Sequence, residues 1–379
     1  MNIVFFTNNF FPRVSGVAVS IDFLCRALNE LGHRTLVFAP DYVNNNDRED
    51  KFIYRAKSLN IIPSWLSVPL PMFDHTKIIN SLIEFNPDVV HVHHPFLMGK
   101  TGMRLAHSNN IPLVFTYHTL YYEYLLNYFS SNSQVFEKAI YKRIADFSNQ
   151  CNLVIAPTKQ IKQYLSHFGV ETQIEVVPTG IDLHIFNKDY QPSELDKIRS
   201  ELKINSSDKV LLFVGRMARE KNVSLLLEAL KEILKRFVNL VLLMVGKGVQ
   251  IRKLQREAAR LNIDKNVIWM GFQERNRLPL LYKLADLFLF PSVTDTQGIV
   301  LYEALAASIP IIAVRSLAAE TIVDDRKNGL LSDDDPQDFA EKVTFALENL
   351  DSFEINFSLE EFSSYTVGNK VSKLYERLM

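Results

Sequence analysis

The stretch DLFLFPSVTDTQGIVLYEALAA, residues 286–307, reads as a short apolar run stopped by Pro291, a polar loop, and an apolar-rich segment opened by Gly298. Four buried-type residues bounded by a proline suit a strand covered on both faces, and the segment after the glycine has helical length. Strand, loop and helix in that order make half of a βαβ unit. The same grammar recurs on either side of it: VLLFVG, Val223 to Phe237, LVLLMVG, Ile251 to Leu261, VIWMG, Arg277 to Ala285, then this stretch and PIIAV. It also fills the first half: NIVFF, Val17 to Leu31, TLVFA; DVVHVH, Gly99 to Asn109, PLVFTYH; NLVIAP, Thr158 to Phe168, IEVVP. The fold class is therefore α/β, two doubly wound parallel sheets in tandem. The polar, turn-rich segment near residues 183 to 200 is the expected linker.

The chain has 379 residues, more than one hydrophobic core usually serves, which agrees with two domains. Its net charge of −1 offers no global attraction to nucleic acid or to anionic lipid. Cys25 and Cys151 are the only cysteines, too few for a disulfide framework or a thiolate metal site, and they point to a reducing, cytoplasmic setting. The first residues lack the pattern of a signal peptide, and no apolar run approaches the roughly 20 residues that cross a bilayer. The expectation is a protein that can lie on a membrane without spanning it.

In sheets of this kind ligands collect at the carboxyl ends of the strands. Gly298 would open its helix with amides that lack partners, a place where backbone N–H groups and the helix dipole receive an anion. Glu303 follows at a distance of roughly 8 Å along the axis, within reach of a ribose beyond a phosphate. VGRMAREKN places Gly215 and Arg216 at another strand end with Lys221 after them, two cations suited to a diphosphate. Gly16 opens a helix after the first strand of the other half. Taken singly, each feature also fits a loop acid, a surface cation or a structural turn, and no G-x-G-x-x-G fingerprint is present.

Together these motifs resemble the retaining glycosyltransferases of family four, over nearly the whole chain. VPTGID at 177–182, VGRMAREKN, VIWMGF, YKLADLFLFPS and DTQGIVLYEALA carry the resemblance. It implies a GT-B fold, with residues 1–185 binding the acceptor, 186–362 binding a nucleotide sugar, and a C-terminal helix at 363–379 returning to the first domain. Arg216 and Lys221 would neutralise the donor diphosphate, with Gly215 beside them. Glu303 would hold the ribose, and Phe272, in VIWMGF, would lie at the donor. Asp295 and the backbone of Gly298, Ile299 and Val300 would hold the transferred sugar. Gly16 would allow close approach to the diphosphate, and His118, in FTYHT, matches the family's sugar-contacting histidine. Two positions depart from the pattern: Asp295 stands where a glutamate is usual, and Ser308 where a glycine is usual. The implied mechanism is front-face attack with the departing phosphate taking the acceptor's proton. No cofactor is implied, since the UDP-sugar is a substrate, and no metal. His91, His93 and His94 in HVHHP are not read as a metal site, because alternation along a strand separates neighbouring side chains.

HVHHPFLMGKTGMRLA with FTYHTLYYEYLLNYF most resembles the bacterial branch that glycosylates diacylglycerol. That makes a lipid acceptor, a UDP-glucose donor and a peripheral position on the inner membrane face the expectation, with UDP-galactose and UDP-glucuronate as other donors. Trp65, in an apolar segment preceded by Lys51, Arg55 and Lys57, and Tyr121 are candidate acceptor or membrane contacts. So are Lys138, Lys142 and Arg143 on the amphipathic segment SQVFEKAIYKRIADF, whose apolar side is Phe136, Ile140, Ile144 and Phe147. A soluble acceptor, a nucleotide-sugar epimerase and a noncatalytic sugar-nucleotide binder are the competing readings. Release of UDP with acceptor present separates turnover from mere binding.

Overall fold

The computed structural model describes residues 1–41, 52–59, 70–71, 75–127, 134–358 and 360–379. Trp65 and Lys51 lie outside the described residues. The chain divides into two compact units: Met1–Tyr122 with Ser130–Asp182 and Glu360–Met379, and Glu123–Phe129 with Leu183–Leu359. The division thus falls after Asp182, where the sequence suggested 185.

The first unit holds strands β1 (Asn2–Phe6), β2 (Arg34–Pro40), β3 (Ile53–Ala56), β4 (Ser58–Leu59), β5 (Leu70–Pro71), β6 (Val89–Val92), β7 (Leu113–Thr116), β8 (Leu153–Ala156) and β9 (Ile174–Val176). Seven of them form one parallel sheet in the order β3-β2-β1-β6-β7-β8-β9, and β4 pairs with β5 antiparallel. Every residue of β6, β7 and β8 is buried, as expected of strands covered by helices on both faces. Ile3, Phe5, Leu28, Val114 and Val371 belong to one core cluster, so the C-terminal helix Ser364–Glu376 is part of this unit. The helix Gln134–Ser148 corrects the membrane reading of its apolar side. Ile140, Ile144 and Phe147 are buried in the unit's own core, and Tyr141 stacks on Phe168 at 3.6 Å, while Lys138, Lys142 and Arg143 stay exposed. A Rossmann-type helix needs that face for the sheet beneath it.

The second unit holds β10 (Lys209–Val214), β11 (Leu240–Val245), β12 (Val267–Gly271), β13 (Leu287–Phe290), β14 (Ile311–Val314) and β15 (Gly329–Ser332). Their order is β12-β11-β10-β13-β14-β15, all parallel. This is the doubly wound arrangement, whose strand order reverses between β10 and β13. Its core gathers Leu211, Phe213, Leu226, Leu230, Leu242, Met244, Leu289 and Phe339. The supposed linker is not all loop: Pro192–Leu202 is a helix, started by Pro192 and by a capping box between Gln191 and Glu194. Its polar exterior hid it, since only Ile198 is buried.

Candidate functional site

The reversal point of the second sheet brings the ends of β10 and β13 together. At the end of β10, the Gly215 amide donates to Val245 O at 2.9 Å, and Gly246 opposite has φ 134°. A Cβ on Gly246 would come within 1.9 Å of Gly215 O, so the two chains touch backbone to backbone. Arg216 then leaves the strand and meets Glu220 at 2.7 Å, with the Glu220 side chain only 2% exposed. The next residue, Lys221, closes a short 3₁₀ turn, Arg219–Lys221, and donates to both carboxylate oxygens of Asp295 at 2.6 and 2.8 Å.

The two loops are also tied through backbone. Ser292 Oγ and Thr294 Oγ1 both donate to Glu220 O, at 3.2 and 3.1 Å. Burial alone would raise the Asp295 carboxyl, but the charge and hydrogen bonds of Lys221, with help from Ser292 and Arg216, outweigh it and hold it below the usual range. Each cation assigned from sequence to a diphosphate is therefore paired with a carboxylate of its own unit. The Arg216–Glu220 partnership was available as an i, i+4 spacing; the Lys221–Asp295 one, across 74 residues, was not.

Gly298 is not the first helical residue but the cap of Ile299–Ala306, in the left-handed region at φ 65°. A Cβ there would stand 2.9 Å from Leu301 Cδ1 and 3.3 Å from Phe290 Cζ, so a side chain would be strained by the backbone and crowded by both neighbours. Ile299 and Val300 open the helix, half-buried. Glu303, one turn on, is buried rather than solvated. Tyr282 Oη donates to its Oε2 at 2.9 Å and Arg275 to its Oε1 at 3.4 Å. Burial pushes its carboxyl above the ordinary value, and Arg275 and Tyr282 only partly offset that. Arg275 sits over the Phe186 ring at 5.7 Å, and Phe186 meets Tyr282 edge-on at 5.2 Å. Sequence reasoning missed Arg275, Tyr282 and Glu220. Phe272 is exposed at 46%, with Lys247 5.9 Å from its ring centre.

In the first unit the candidates also sit at strand ends near a reversal, between β1 and β6. Gly16 is the exposed first residue of the helix Gly16–Glu30, capped by Ser15 Oγ, which accepts from the Ala18 amide and from Asn9 Nδ2. His118 follows β7, and its Nε2 lies 2.8 Å from His93 Nδ1. Alternation along the strand does not part all three histidines. His91 and His93 are two apart, share a face and stack at 4.3 Å, whereas His94 turns to accept from the Asn8 amide at 3.2 Å. Burial lowers His91 and His118 to about 3 and His94 to about 4. Among the described residues, no group of three or more His, Cys, Asp or Glu is placed to hold a metal ion. Tyr121 packs edge-on against Phe96 and Tyr117. Arg55 is turned inward and donates to Phe11 O, so it is not a surface cation. No helix among the described residues is long and apolar enough to cross a membrane.

Two family models match: Glycosyltransferase Family 4 over residues 14–185 and Glycosyl transferases group 1 over residues 195–355. The chain is 30% identical over 344 residues to an alpha-monoglucosyldiacylglycerol synthase of Acholeplasma laidlawii, covering 87% of this chain and 84% of that one. It is 28% identical over 378 residues to the protein of the same name from Streptococcus pneumoniae, covering 99% and 85%. Among solved structures it superposes on sucrose-phosphate synthase from Thermosynechococcus elongatus with a TM-score of 0.83, at 20% identity over 100% of this chain and 98% of the other. Anabaena HepE, solved with UDP and glucose, gives 0.77 at 17% identity over the whole of both chains.

Proposed function

Since the chain belongs to glycosyltransferase family four and has the GT-B fold, we propose that it transfers a hexose, glucose first, from a UDP-sugar to diacylglycerol at the cytosolic face of a membrane. The observation that carries the donor half is the convergence of Arg216, Lys221, Asp295 and the Gly298-led helix at the reversal point of the second sheet. Two cations held at fixed positions can receive a diphosphate by exchanging carboxylate partners for phosphate oxygens. Their charge then stabilises the leaving nucleotide as the glycosidic bond breaks, a role that needs no divalent ion.

Asp295, released from Lys221 as the diphosphate arrives, becomes available to the sugar hydroxyls, with the Ile299 and Val300 amides beside it. Glu303, oriented by Tyr282 and Arg275, holds the ribose. The reaction retains anomeric configuration by front-face attack, with the departing phosphate accepting the acceptor's proton. His118 contacts the sugar from the first unit, which carries the acceptor. The lipid acceptor is supported by the two relatives named as glucosyldiacylglycerol synthases. Lys138, Lys142 and Arg143, exposed on one helix, serve an anionic surface.

The test is a donor screen with the purified protein and vesicles containing diacylglycerol, the product identified by mass and its anomeric configuration by proton NMR. An α-glucosyl lipid made from UDP-glucose supports the reading. UDP release only with soluble acceptors, or tight UDP-glucose binding without turnover on any acceptor, overturns it.

A further inference from the structure

His93 is almost fully buried, 1% exposed, yet only one of its ring nitrogens is satisfied. Nδ1 faces His118 Nε2 at 2.8 Å, while Nε2 is buried with no hydrogen-bond partner. The ring cannot easily turn to find one. It stacks on His91 at 4.3 Å and on Phe5 at 5.5 Å, and lies end to end with His118, the ring centres 5.1 Å apart. His91 itself is held at both nitrogens, by Tyr375 Oη at 2.6 Å on Nδ1 and by Thr116 Oγ1 at 2.7 Å on Nε2.

Burial, and then the neighbouring His91, His118 and His94, keep His93 from taking a second proton, so it carries one N–H. A nitrogen-to-nitrogen hydrogen bond likewise holds a single proton between its two atoms. Two arrangements remain. If the His93 proton were on Nε2, a buried N–H would have no acceptor. If it is on Nδ1, the unpartnered atom is a bare lone pair, which forfeits less than an unpaired donor does. The second arrangement makes His93 Nδ1 the donor and His118 Nε2 the acceptor.

From this geometry we infer that His93 is a positioning residue that fixes His118 in the Nδ1–H tautomer, so that His118 offers its sugar a hydrogen-bond donor from Nδ1. This deepens the role of His118 in the proposed reaction and rests on that reading for its functional half. The tautomer half stands on the first unit alone. The stacked rings of His91 and Phe5 fix the plane of His93, and its contact with His118 fixes which edge carries Nδ1.

The experiment is long-range proton–nitrogen NMR on the full chain labelled with ¹⁵N-histidine, with the His118 signals identified by their loss in His118→Gln, alongside kinetics of two His93 variants. The expected result is a pyrrole-type Nδ1 and a pyridine-type Nε2 for His118 near neutral pH. His93→Phe should move His118 toward the Nε2–H tautomer and lower kcat at least about tenfold, with little change in KM. His93→Asn, whose amide can donate from the place of Nδ1, should keep the tautomer and recover activity to within a few-fold. An Nε2–H His118 in the unaltered protein overturns the inference, as does a His93→Phe variant that folds with tautomer and kcat unchanged. The Nδ1–H signature in a protein without transferase activity would leave the tautomer assignment standing and remove the proposed reaction instead.

Discussion

Lys221 and Asp295 are joined by two hydrogen bonds, 2.6 and 2.8 Å, across the gap between the ends of β10 and β13. They come from loops 74 residues apart, and neither side chain is fully exposed or fully buried. The pair ties the position of the acid to that cation.

Removing either partner should be felt at the other. Lys221→Ala should lower kcat/KM by about a hundredfold or more, as expected when a charge that meets a leaving group is lost. It should also weaken the fold by about 1–3 kcal/mol, because Asp295 loses its counter-charge in a site partly closed to water. Asp295→Glu, by contrast, should keep activity within about tenfold, since the added methylene can be taken up by the flexible lysine. Steady-state kinetics and urea titration of both variants check this; a collapse in Asp295→Glu would mean that the site is shaped around the shorter acid.

Glu303 titrates from a raised value, so its carboxylate form is lost as pH falls toward that value from neutrality. If the carboxylate holds the ribose, activity has an acid limb set by Glu303. Tyr282→Phe removes the donor to Oε2 and should raise the carboxyl further, moving that limb to higher pH. The stability effect has its own sign. A carboxyl whose folded pKa lies above its unfolded one favours the fold at low pH, and this advantage fades as pH rises through the folded value. A pH–rate profile in which Tyr282→Phe and the unaltered protein share one acid limb would count against Glu303 at the donor.

Acid should act on the first unit in the opposite sense. His91, fully buried and lowered to about 3 by that burial, is neutral in the fold but protonates in the unfolded chain below its ordinary 6.5. Stability is full above that value and falls as pH drops toward the folded one. Between about pH 7.5 and about pH 5 this single group removes about 2 kcal/mol. Denaturant titrations at the two pH values should show the loss, and His91→Gln, less stable at neutral pH, should show a smaller further drop. An equal drop in the variant would assign the acid sensitivity elsewhere.

A side chain at Gly246 or Gly298 should be costly, for different reasons. Gly246→Ala drives a methyl to 1.9 Å from Gly215 O and must part the ends of β10 and β11, next to Arg216. Gly298→Ala meets an apolar side chain and a positive φ, a strain of about 1–3 kcal/mol. Both should fold with lowered melting temperatures, and Gly246→Ala should lose more donor affinity, measured by calorimetry with UDP.

Much of the fold was legible because parallel strands covered on both faces need continuous apolar runs, and every such run named in the sequence became a strand. The helix Pro192–Leu202 was not legible. With one buried residue it lacks the apolar stripe that marks a helix, and its start depends on capping rather than periodicity. The candidate site was half legible. Arg216, Lys221, Asp295, Gly298 and Glu303 announce themselves by type and by following strand ends. Arg275 and Tyr282 do not, since an arginine in a loop and a tyrosine in an apolar helix have no spacing relation to Glu303.

The sequence by itself determined two doubly wound sheets, the loops at their carboxyl ends, and which charged residues those loops carry. These follow from local pattern, because strand burial, proline stops and glycine starts act within a few residues. Only the tertiary structure decided the partnerships: Lys221 with Asp295, Arg275 and Tyr282 on Glu303, His93 on His118, and the burial of Ile140, Ile144 and Phe147 in their own core. Such pairs depend on strand order and on which elements meet at a reversal of the sheet. Burial then sets their protonation, through a desolvation cost that no residue's neighbours along the chain can reveal.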